Sequence, residues 1–244
     1  MNIQSYLRRK KADKPKFRED RRLCRACWQP KFNCFCHAIE KFDPKMEFVI
    51  LIHPKESGRR ISTGRMSYLS LDNSHIIRGR YFPNHPKIKI LLSEPGYKNI
   101  ILSPRAGATN LTGLPEQEIR KHFPQDKKLR IFILDGTWSN VGKMFRLTPE
   151  IQELQRYFFI PDSPSNIRVR KQPNDKCYCT LEAIHHTIEL LGASQGFDTT
   201  SRVHDNLLKP FNWMVEGQIK RIKDNQNWRS YGHNHTKSLR VDVK

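Results

Sequence analysis

The sequence predicts an α/β protein organised on a parallel sheet. The first observation behind this is the stretch Met46-Glu-Phe-Val-Ile-Leu-Ile-His53, whose hydrophobicity is nearly continuous rather than alternating. That pattern suits a strand buried on both faces, as parallel strands are. The second is that four such strand candidates each run into a polar loop containing Pro or Gly. These loops begin at His53-Pro54, Ser103-Pro104, Asp135-Gly136 and Pro161-Asp162. The third is that segments of helical periodicity lie between and after them, so that ligand-binding loops would gather at the carboxyl edge of the sheet.

Residues 1–22 form a basic arm with few apolar anchors, in which residues 8–11 could touch phosphate. Residues 23–45 carry Cys24 and Cys27 in CxxC spacing, then Cys34 and Cys36 as a CxC pair. Four thiols within thirteen positions suit a closed tetrahedral zinc site that stiffens a segment too short for its own core. His37 could replace one thiol. After the 46–53 strand, a helix is expected over 62–71. Arg59, Arg60, Ser62, Thr63 and Arg65 at its entrance offer an anion site. Further strands are expected at 74–80, 99–103, 131–135 and 156–160. A helix over 139–146, capped by Ser139 or Asn140, and a short one near 149–155 separate the last two. Arg168, Arg170 and Lys171 alternate along an extended segment. Thr180 opens a helix in which Leu181, Ile184, Ile188 and Leu191 repeat at helical spacing, and Gly192 ends it. The last helix covers 206–223 with Pro210 in its first turn. A polar, basic tail, 226–244, follows.

Lys and Arg number 44 against 24 Asp and Glu, a net charge of +20 spread along the chain. A basic excess on an enzyme-sized chain points to a polyanionic partner, nucleic acid above all. No apolar run reaches membrane-spanning length, and the N-terminus has no apolar signal core. A cytoplasmic location is expected, with the six Cys as thiols or metal ligands rather than disulfides.

The chemistry centres on 130–143, RIFILDGTWSNVGK. Asp135, Thr137 and Trp138 fall at the tip of a strand beside a helix start. Asp135 is either a general base, its pKa raised by desolvation, or a cap on the following helix that only orients the loop. Trp138 is either a stacking surface for an unpaired base or a core residue wedged between helix and sheet.

LDGTWSNVGKMFR resembles the signature of the DTW-domain family. The CxxC…CxC cluster, the segments 53–56 (HPKE) and 62–66 (STGRM), the SPSNIRVRKQP loop and the TLEAI helix start agree with it in order, over about 23–224. The resemblance implies a tRNA-uridine aminocarboxypropyltransferase. Such an enzyme moves the 3-amino-3-carboxypropyl group of S-adenosylmethionine to N3 of a uridine and releases methylthioadenosine. It also implies a SPOUT-like sheet with a C-terminal knot and helices on both faces, here over 46–225. Asp135, Thr137 and Trp138 would then be catalytic. The cofactor would be held by His53, Ser103, Asp135, Trp138, Ser163, Arg168, Thr180 and Glu182, with Arg168 on its carboxylate and Glu182 or Asp162 on its ammonium. Arg59, Arg60, Arg65, Lys143, Arg146, Arg170 and Lys171 would grip tRNA, with no obligate protein partner. Cys177 and Cys179 depart from the family pattern and are taken as buried fillers. The competing functions are a SPOUT-type methyltransferase and a non-enzymatic zinc-containing RNA-binding protein.

Overall fold

A computed structural model describes residues 23–59, 61–166 and 177–224. The expectations placed on the arm, the tail, Arg60, Arg168, Arg170 and Lys171 lie outside those residues. In chain order the elements are β1 (Glu47–Ile52), α1 (Pro54–Ser57), α2 (Thr63–Ser70), β2 (Ser74–Arg78), α3 (Pro86–Ser93), β3 (Tyr97–Leu102), β4 (Thr109–Asn110), α4 (Glu116–His122), β5 (Lys128–Asp135), α5 (Trp138–Arg146), α6 (Pro149–Gln152), β6 (Gln155–Phe158), α7 (Thr180–Leu191) and α8 (Leu208–Asp224). A 3-10 turn, Val203–Leu207, leads into α8.

The six strands form one parallel sheet in the order β2-β1-β5-β3-β6-β4. The near-continuous apolar strands have their predicted cause. Phe48, Ile50 and Ile52 of β1 and Leu129, Ile131 and Ile133 of β5 point into one core, shared with α2, α7 and α8. Val49, Leu51 and Phe132 point into a second core against α3, α5 and α6. Helices therefore cover both faces, and every strand delivers its carboxyl end to the same edge. The Cys-rich segment is continuous with the first core, because Cys27 and Phe35 are fully buried in it. Four of these elements are additions to the sequence expectation: α1, α3, α4 and the two-residue β4.

One cation is sunk in the sheet. Arg130 on β5 lies opposite Glu47 on β1 and is 1% exposed. It donates to Glu47, to Glu94 at 2.6 Å and to the Leu91 carbonyl in the last turn of α3, and it stacks on Tyr97 with its guanidinium carbon 3.6 Å from the ring centre. Burial alone would raise the Glu47 carboxyl. Hydrogen bonds from His75 and Arg130 outweigh it and hold the group down from 4.5 to about 2. A shift of that size corresponds to about 3 kcal/mol of stability.

Two outcomes follow. Arg130→Met should cost about 3–5 kcal/mol in urea unfolding at pH 7, since Glu47 is left buried without its cation. Because the folded-state value is depressed, Glu47 contributes fully above pH 4.5, and its share is lost as the pH falls through about 2. The stability gap between wild type and Glu47→Gln should therefore narrow across that window; a constant gap excludes this account.

Candidate functional site at the carboxyl edge

β5 ends on Asp135, in register with Ile52 at the end of β1, and the Asp135 carbonyl accepts from His53 N–H at 2.8 Å. Its side chain has the parity of Leu129, Ile131 and Ile133, so it turns toward the face covered by α2 and α7. There it is 6% exposed. Its Oδ1 accepts from Thr180 Oγ1, the first residue of α7, at 2.9 Å. It also lies against the first turn of α2: a Cβ added to Gly64 would stand 2.3 Å from Asp135 Oδ2. A carboxylate beside two helix N-termini is stabilised by both dipoles. So enclosed, the carboxylate serves the chain's own helix starts, and Thr137 rather than Asp135 caps α5. The geometry fits a residue that fixes where α7 begins.

Thr137, not Ser139 or Asn140, is the N-cap of α5. Its Oγ1 accepts from Asn140 N–H at 3.4 Å and shares a hydrogen bond with Ser139 at 3.2 Å. Gly136 permits the sharp turn, for a Cβ there would meet Val141 at 3.3 Å. The helix thus starts a residue earlier than expected and leaves Trp138 56% exposed at its first position. That removes the core-tryptophan alternative.

The loop before α7 is held by Glu182. Its carboxylate accepts from Cys179 N–H at 2.9 Å, Asn166 N–H at 2.7 Å and Ser165 Oγ at 2.7 Å. Glu182 is therefore engaged with the chain's own loop. Cys179 completes the capping box with its sulfur, and burial pushes its thiol well up. It is a cap rather than a filler. Asp162 remains exposed, within 3.4 Å of Tyr178 Oη, which also meets Ser163 Oγ at 3.0 Å. Ser103 is buried at the end of β3, its N–H on the Tyr157 carbonyl at 2.8 Å. Ile160, next to this loop, is 47% exposed.

On the α5 side of the same edge lies a groove of about 250 Å3, lined by His53, Lys55, Arg80, Tyr81, Asn140, Lys143 and Leu147. Burial, then Arg80 and Lys55, push the His53 imidazolium down, so the ring is neutral at pH 7. Its Nδ1 accepts from Lys55 N–H at 3.2 Å, which leaves the proton on Nε2 to be donated. Of the predicted RNA-binding residues, Lys143 lines the groove, Arg146 is exposed on the same helix and Arg59 is half-exposed in an ion pair with Glu56 at 3.1 Å. Arg65 corrects the expectation. It is buried, donates to the Ala26 carbonyl and stacks on Trp28 at 3.8 Å, tying α2 to the Cys segment. Lys55 and Arg80 were missed; Arg80 lies two residues past the end of β2, at the edge where such sheets recruit ligands.

The four cysteine sulfurs all lie within 4.8 Å of one another, with Cys24–Cys36 at 3.7 Å and Cys27–Cys34 at 3.6 Å. A tetrahedron of sulfurs about 2.3 Å from one ion has edges of about 3.8 Å, so the cluster fits a tetrathiolate metal site. Backbone N–H groups of Cys27 and Ala26 help bring the Cys24 thiol down to about 6, so one thiolate is ready at neutral pH.

A family model described as the DTW domain matches residues 21–219. The chain is 25% identical over 206 residues to the tRNA-uridine aminocarboxypropyltransferase 2 of Drosophila melanogaster, covering 82% of this chain and 76% of that protein. It is 24% identical over 215 residues to the protein of the same name from Mus musculus, covering 83% of this chain and 65% of that one. No solved structure matches the chain.

The contact between α2 and Asp135 is open to a double-mutant test. Gly64→Ala should cost about 1–3 kcal/mol by overpacking. With Asp135→Ala already present, the same change should cost clearly less. Strict additivity of the two losses in denaturant unfolding argues against the contact.

Proposed function

The chain belongs to the DTW domain family, and from that membership we propose that it is a tRNA-uridine aminocarboxypropyltransferase. It would move the 3-amino-3-carboxypropyl group of S-adenosylmethionine to N3 of a tRNA uridine. Two named relatives support this, and one observation carries it: an exposed Trp138 stands at the head of the helix whose Asn140 and Lys143 line a cationic groove.

Trp138 stacks on the displaced uracil, as aromatic side chains commonly hold unstacked RNA bases. Lys55, Arg80 and Lys143 neutralise phosphate and favour the N3 anion over N3–H, since nearby cations lower the pKa of an acid. His53 Nε2–H is a donor for a uracil carbonyl or a phosphate oxygen. Thr137 keeps the head of α5 in place, and Asp135 and Thr180 fix the start of α7. Through Glu182 that start positions 162–166. Exposed Ile160 beside Asp162, Ser163 and Tyr178 suits an adenosyl group with an ammonium, so the residues present fit S-adenosylmethionine, with Ser103 completing the site. When bound, that group supplies an activated carbon and a neutral thioether leaving group. N3 would give up its proton to solvent water as the anion, the new N–C bond would form as the C–S bond breaks, and the sulfur's electron pair would leave with methylthioadenosine.

Cys24, Cys27, Cys34 and Cys36 would hold a structural zinc ion. The SPOUT-like knot is part of the same proposal. Its support is the insertion of β5 between β1 and β3 and the return of α7 after β6 to pack on α2 and β5. Among the described residues no helix is long and apolar enough to cross a membrane.

Mass spectrometry of nucleosides from tRNA incubated with protein and S-adenosylmethionine should show an aminocarboxypropyl-uridine together with methylthioadenosine. Methylated uridine with S-adenosylhomocysteine would make the protein a methyltransferase, and no affinity for the cofactor would make it a binding module. Trp138→Ala should lower transfer about tenfold or more. Arg80→Ala combined with Lys143→Ala should flatten the salt dependence of tRNA binding; an unchanged slope removes the groove from the interface.

A further inference from the structure

A second cluster of metal-ligating side chains lies away from the carboxyl-edge groove. His185 and Glu189 are one turn apart on α7. His204 and Asp205 stand on the 3-10 turn that launches α8. One ligand atom from each falls within 4.8 Å of the other three. We propose that His185, Glu189, His204 and Asp205 form a divalent-metal site of zinc type, which staples the start of α8 to α7.

The donor set supports the metal class. Two imidazole nitrogens and two carboxylate oxygens suit a four-coordinate borderline cation better than magnesium or calcium, which prefer all-oxygen shells. Bonds of about 2.0–2.1 Å to a tetrahedral ion place neighbouring ligand atoms about 3.3 Å apart. His185 Nε2 to Asp205 Oδ1 is 2.7 Å, His204 Nε2 to Glu189 Oε1 is 2.8 Å and His204 Nε2 to Asp205 Oδ1 is 3.9 Å. These distances bracket the tetrahedral edge, so only small side-chain shifts are needed. With four protein ligands the shell is closed, and the site is structural rather than catalytic.

His204 is the second, independent observation. It is 0% exposed, and among the described residues neither of its ring nitrogens makes a hydrogen bond of acceptable geometry. Nε2 nevertheless sits 2.8 Å from a Glu189 oxygen. A short contact with poor direction is what results when both atoms address a third point between them. Burying an imidazole in this way is costly unless something engages the nitrogen, and an ion at that point would.

Arg202 is the competing cation. It holds Glu189 and reaches Asp205 at 2.7 and 3.0 Å, but from the rim, with its side chain 52% exposed. Each carboxylate oxygen keeps a second lone pair, so Arg202 can orient both carboxylates from outside while they face an ion within. The alternative is a closed ion network that Arg202 completes without metal.

Metal content separates the two. Full-length protein, stripped with a chelator and reloaded with zinc, is dialysed and measured for bound metal, and parallel samples are loaded with cobalt. Wild type should lose one equivalent of zinc on Glu189→Gln, and also on His204→Ala if that buried variant folds. The equivalent lost should survive Cys24→Ser with Cys27→Ser, which empties only the thiolate cluster. In cobalt-loaded protein, Glu189→Gln should remove weak visible bands and leave sulfur-to-cobalt charge transfer intact. Zinc content and cobalt spectrum both unchanged in the folded Glu189→Gln protein would overturn the proposal in favour of the Arg202 network.

Discussion

Two helices begin at one buried carboxylate. Asp135 closes the central strand, takes the hydroxyl of Thr180 at the head of α7 and packs on Gly64 in the first turn of α2. A side chain at residue 64 would displace it, and a neutral apolar group at 135 would leave both helix starts without their anion. The arrangement ties a central strand of the sheet to the loop that Glu182 holds, so the mouth of the edge is set by the core beneath it.

That constraint divides the edge into two sides with different chemistry. Toward α5 are neutral His53, three cations and aromatic surface; toward α7 are hydroxyls, Asp162 and exposed Ile160. A polynucleotide suits the first side and a small zwitterion the second. The protein's large positive charge is a poor guide to which cations meet ligand. Arg65 and Arg130 are interior, each paired with carbonyls or carboxylates and stacked on an aromatic ring, and they join segments far apart in sequence.

The sheet was legible because buried parallel strands leave unbroken apolar runs, and α7 because its stripe, its first residue and its closing glycine agree. The helix α3 was not read, since only Ile88 and Leu91 of its eight residues are buried, although Pro86 at its start is a usable signal. The orientation of Asp135 was hidden for a different reason. On a strand with one wet face, its parity with Ile131 and Ile133 would have placed it inside; here both faces are buried and parity names no outside. Arg65 read as a phosphate ligand because charge is visible in a sequence and the aromatic ring it covers is not.

The strand order also bears on how the chain comes together. β1 and β5 are neighbours joined by Glu47 and Arg130, which are 83 positions apart. Until the second half has emerged from the ribosome, β1 has β2 on one side and an unpaired apolar edge on the other. Distant pairings of this kind slow folding and expose sticky strands meanwhile. The amino-terminal half is therefore a dependent fragment, and the step that commits the molecule is the late entry of β5 into the gap waiting for it.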